Sequence, residues 1–60
     1  MSLEHDAADR IEDAREALDI AATKARYGSP AEALAAIADA QNHLTSATGR
    51  LVVIHRGKTQ

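Results

Sequence analysis

Apolar residues recur along the first half of the chain at Leu3, Ala7, Ile11, Ala14, Leu18, Ala21 and Ala25, in steps of four and three. That spacing puts them on one side of a helix with 3.6 residues per turn. The second half repeats the design with Ala33, Ile37, Ala40, Leu44, Ala47, Leu51 and Ile54. A shift of 26 positions lays Ala7 on Ala33, Ile11 on Ile37, Ala14 on Ala40, Leu18 on Leu44 and Ala21 on Ala47. Few other positions match, so the register is a shared packing solution rather than a duplication. An alanine once per heptad on each helix lets two backbones come close. The pattern predicts that the larger residue between alanines fills the neighbouring hole.

Between the halves stands Tyr27-Gly28-Ser29-Pro30-Ala31-Glu32. Glycine suits the position just past a helix end, where the backbone turns left-handed. Ser29 is placed to cap the next helix, and Pro30 occupies a first position that has no use for an N–H. Glu32, three residues after Ser29, completes a Ser-x-x-Glu capping box. A helix stop that abuts a helix start folds the two antiparallel. The predicted fold is therefore all-α: an antiparallel hairpin with a helix over about 3–27, a turn at 28–29 and a helix over about 30–55. It forms a single domain over 1–60, with 57–60 as a frayed tail.

The ends fit this scheme. Ser2 is a candidate N-cap, followed by Glu4 and Asp6 in the first turn, while Lys24 and Arg26 occupy the last. Each charge matches the helix dipole. Asp6 with Arg10 and Glu12 with Arg15 have the spacing of intrahelical ion pairs. One segment carries a competing pattern: Leu51-Val52-Val53-Ile54 lies between Gly49 and Gly57 and is rich in β-branched residues, so 50–56 has the composition of a strand. The helical phase of Leu44, Ala47, Leu51 and Ile54 runs through Gly49 unbroken, and favours helix.

Composition then changes the picture. Of the 27 apolar residues 14 are alanine, and the large aliphatics are only five Leu, four Ile and two Val. Chains of this size need disulfides, a metal, self-association or very regular helix packing to be stable. There is no cysteine, which leaves self-association as the leading expectation, with two hairpins forming a four-helix bundle. The second helix is the expected interface. Its charged residues Glu32, Asp39, His43 and Arg50 share one narrow line, and the apolar arc around the rest is wider than one partner helix covers. The interface so predicted comprises Leu34, Ile37, Gln41, Leu44, Thr48, Leu51, Val52 and His55. Ile20 and Tyr27 project away from the first stripe and form a smaller candidate patch for another protein.

Charge and candidate chemistry narrow the function. Residues 1–27 carry seven acids and four bases, and residues 28–60 two acids and three bases, for a net charge of −2. Neither half has the basic surface that nucleic acid requires. No apolar run reaches membrane-spanning length and no signal-peptide pattern opens the chain, so a cytoplasmic protein is expected. His5 with Asp9, and Asp39 with His43, stand four residues apart, and an antiparallel turn would bring His55 toward Glu4 and His5. Such pairs are common on exposed helices, and no Glu-x-x-His motif accompanies them, so no metal or other cofactor is expected. Ser29 is accounted for as a cap, neither it nor Ser46 has an implied acid–base partner, and no phosphate-binding glycine loop is present. No catalytic constellation follows.

The reading is a non-enzymatic, homo-oligomeric hairpin acting through protein–protein contact. The alternative is a small nucleic-acid-binding regulator on the same scaffold, using Arg50, Arg56 and Lys58, with Arg10 and Arg15 as candidate additions. A hairpin dimerising into a four-helix bundle is similar in architecture to the plasmid copy-number repressor family, whose dimers bind RNA hairpins. The similarity is one of shape and transfers no residue.

Overall fold

The computed structural model describes residues 2–58 of the chain. Two helices, α1 (Leu3–Arg26) and α2 (Pro30–Lys58), pack against each other as a hairpin 49 Å long. The Ser2 side chain accepts the His5 N–H at 3.1 Å and its carbonyl accepts the Asp6 N–H, also at 3.1 Å, so α1 begins where the sequence placed its cap.

The corner is a Schellman motif. Gly28 has φ +78°, in the left-handed region that glycine enters without a Cβ penalty. Its N–H reaches the Ala25 carbonyl at 3.4 Å, and the Ser29 N–H reaches the Lys24 carbonyl at 2.8 Å, which is the paired 5→2 and 6→1 pattern of that cap. Tyr27 is the C-cap, one residue short of the expected helix end, and its N–H donates to the Thr23 carbonyl. The Ser29 carbonyl accepts from Ala33 at 3.0 Å and opens α2.

The capping box is built differently. The Ser29 N–H that Glu32 would reach back to is held by Lys24. The Glu32 carboxylate instead meets the Lys24 ammonium at 2.7 Å.

α2 is longer than expected. It runs unbroken through Gly49 and through 50–56, so the strand reading is excluded, and it continues over Gly57 and Lys58, which were assigned to the tail. Thr59 and Gln60, the rest of that tail, lie outside the described residues.

The packing seam corrects the predicted stripe. Ala7, Ala14 and Ala21 on α1, and Ala33, Ala40 and Ala47 on α2, are buried as expected, each between 1% and 7% exposed. The residues that share the seam with them are, Ile54 apart, not the large aliphatics. On α1 they are Arg10, Ala17 and Lys24; on α2 they are Ala36, His43, Arg50 and Ile54. Ala17 is fully within the core with Ala14 and Ala40, while Ala25 is exposed. Each helix is thus rotated about its alanine line so that the small and polar flank faces inward. Ile11, Leu18, Ile37 and Leu44 are left 39–48% exposed on the other flank. Alanine at every seam turn brings the backbones too close to admit a leucine between them.

Candidate functional site

Polar residues bordering the seam assemble on one side of the hairpin. His43 places Nδ1 4.0 Å from Asp13 on α1 and Nε2 3.5 Å from Asp39 on its own helix. Arg10 approaches Asp13 at 3.8 Å rather than Asp6, its expected partner, and Arg15 meets Glu12 at 3.5 Å as its spacing suggested. The Arg50 guanidinium donates to the Ser46 carbonyl at 3.2 Å and to its hydroxyl. Asp6, Asp9, Arg10, Asp13 and Arg50 together line an open depression. The line of charge that Glu32, Asp39, His43 and Arg50 make on α2 therefore faces the charge of α1 and belongs to one flank.

The opposite flank is aliphatic. At 100° per residue, Ile11 and Leu18 stand about 40–60° to one side of the α1 alanine line. Ile37 and Leu44 stand at the same angle on α2. In an antiparallel pair, equal angular displacements fall on one face, so these four form a single surface contributed by both helices. All eight residues predicted as the subunit interface lie on this side and all are exposed: Leu34, Ile37, Gln41, Leu44, Thr48, Leu51, Val52 and His55. Leu34, at 67%, is the most exposed of its aliphatics. Gln41, Leu44, Thr45 and Thr48 line a shallow depression along it.

Ile11 and Leu18 were missed as members of this surface, because the four-three stripe assigned them to the space between the helices. Arg10, Ala17 and Lys24, three residues after each alanine, and Ile11, Leu18 and Ala25, four residues after it, are equally placed by period, so the pattern alone does not separate the two cases.

Ile20 and Tyr27 are exposed, at 49% and 82%, but on the charged side. Ile20 borders a depression with Asp13, Glu16, Ala17, Asp39 and His43. They are separate from the aliphatic face.

Among the described residues no three His, Cys, Asp or Glu side chains stand close enough to hold a metal ion, so Glu4, His5, Asp9 and His55 do not assemble into a site. No helix of the described residues is long and apolar enough to cross a membrane. Glu32 has a displaced titration. The hydrogen bond and charge of Lys24 hold its carboxyl below the ordinary value of 4.5, with a smaller contribution from Ser29. Compared with protein-family models, curated proteins and solved structures, the chain gives no match.

Proposed function

We propose that this chain is a non-enzymatic helical-hairpin protein of the cytoplasm that works by protein–protein contact, first of all with a second copy of itself. The observation that carries this reading is that none of the eleven large aliphatic side chains is buried within the hairpin. A core of alanines supplies little apolar transfer free energy per residue ordered. Ile11, Leu18, Leu34, Ile37, Leu44, Leu51 and Val52, which can supply more, share one face that gains most of its burial only when another surface covers it. Two hairpins meeting there make a four-helix bundle with the charged flanks outward.

The charged flank supports protein rather than nucleic acid as the partner. Arg10 and Arg50 are interleaved with Asp6, Asp9 and Asp13, so a phosphate backbone would meet acids wherever it met guanidinium.

Thermal melts over a wide range of protein concentration test the reading. Folding energy shared between chains makes the midpoint rise with concentration by mass action. A midpoint that does not move contradicts it.

A further inference from the structure

The self-association just proposed leaves two ways to stack the aliphatic faces about a two-fold axis. With the axis parallel to the helices, α1 of one hairpin lies over α2 of the other and both turns fall at one end. With the axis across the helices, like lies over like and the turns fall at opposite ends. Resting on that reading, we infer that the second copy stacks crosswise, α1 over the partner's α2, with the two Gly28 corners side by side.

Side-chain size is the first ground. The outer edge of the aliphatic face is low on α1, where Ala8 and Ala22 stand, and raised on α2, where Leu34 and Val52 stand. Like over like sets ridge against ridge and leaves a trough between the two α1 edges. Crosswise stacking sets the Leu34 ridge into the Ala22 trough. The heights agree as well. Positions that add to 56 are level across the hairpin, as Lys24 with Glu32 and Asp13 with His43 show. A two-fold axis along the helices preserves height. Ala22 is then level with Leu34 of the second copy, and Arg15 is level with Gln41, whose side-chain carbonyl can accept from it.

Charge is the second ground. α1 carries seven acids and four bases, for −3, whereas α2 carries two acids and three bases, for +1. Crosswise stacking pairs helices of opposite net charge and like over like pairs −3 with −3, an effect that acts at a distance because the charged flanks point outward. Electrostatic complementarity of this kind selects orientation more than it adds affinity.

Area is the third. The face is two helices wide only along the 24 residues of α1, about 36 Å at 1.5 Å per residue, so with helices about 10 Å across it offers about 700 Å² per copy. About 800 Å² per partner is typical of a stable complex.

The chain has no cysteine, so single cysteines report cleanly. Ala22→Cys and Leu34→Cys variants, mixed in a redox buffer, should form the mixed disulfide at least several-fold more readily than either variant alone forms its own. Ala31→Cys, on the exposed outer side of α2, leaves the face intact and carries a spin label. Crosswise stacking puts the two labels below about 30 Å, given interaxial distances near 10 Å. Opposed turns put them about 40 Å apart along helices rising 1.5 Å per residue. A dimer with no preferred mixed disulfide and the longer label distance overturns the crosswise arrangement and leaves self-association standing. A parent protein that is monomeric throughout overturns both.

Discussion

Lys24 Nζ lies 2.7 Å from Glu32 Oε2, so the last turn of α1 is clasped to the first turn of α2 across the Gly28 corner. Both side chains are largely exposed, and a surface pair of this kind contributes little at neutral pH. Its signature is in titration. Because the folded-state pKa of Glu32 is depressed, the stabilisation is present above the ordinary carboxylate value of 4.5 and is lost as pH falls through the lower, folded value. Lys24→Ala should raise the Glu32 midpoint toward 4.5 in a carboxyl-carbon NMR titration. An unmoved midpoint would show that the clasp does not form in solution.

Gly28 tests the corner by conformation alone. A Cβ built there meets nothing within 4 Å, yet φ is +78°. Substitution costs therefore follow backbone preference and not contact. Gly28→Val should lose about 1–2 kcal/mol in urea melts, and Gly28→Asn clearly less, because asparagine tolerates the left-handed region. Equal losses for the two would point to a clash the structure does not contain.

The alanine seam should resist enlargement. Ala40, 1% exposed, packs with Ala14 and Ala17. Ala40→Leu adds apolar surface but should destabilise by about 1–3 kcal/mol, because the helices must separate to admit it. Ala35→Leu, on the outer side of α2 away from both the seam and the aliphatic face, is the control. That alanine is exposed, and the same change there should fall within about 0.5 kcal/mol. If Ala40→Leu stabilises instead, the seam is looser than the burial of its alanines implies.

Much of this fold is written locally. Ser2, Gly28 and Pro30 act where they stand, so the helix limits and the antiparallel return were legible to within a few residues. The alanine lines at 7, 14, 21 and 33, 40, 47 were legible for the same reason, since a seven-residue repeat marks one side of a helix whatever packs on it. The rotation of each helix about that line was not. Ile11 and Arg10 flank Ala7 and Ala14 almost equally, and period alone cannot tell which faces the partner helix. The choice falls to the space available, and alanine on both helices leaves room for Ala17 but not for Leu18. The partners of Glu32 and Arg10 were hidden for a related reason. Lys24 and Asp13 reach them only once the turn and the seam have set distances that sequence spacing does not carry.

The two flanks should respond oppositely to charge. Leu44→Glu places a carboxylate on the aliphatic face, where a second copy would bury it, and should weaken self-association by about 100-fold or more, roughly 2.8 kcal/mol at 1.4 per decade. Ile20→Glu makes the same change on the charged flank, among Asp13, Glu16 and Asp39, and should leave the association constant within a few-fold. Equal effects from the two, read by light scattering, would mean that the aliphatic face is not the contact.

Sedimentation equilibrium on the unaltered chain, from below micromolar to hundreds of micromolar, tests self-association most directly. The chain has a mass of 6.4 kDa. The expected result is a reversible rise toward twice that mass, with helix content by circular dichroism rising over the same range. A single species of 6.4 kDa at every concentration, fully helical throughout, would contradict it, and would show that a core of alanines stabilises the hairpin with its aliphatic face in water.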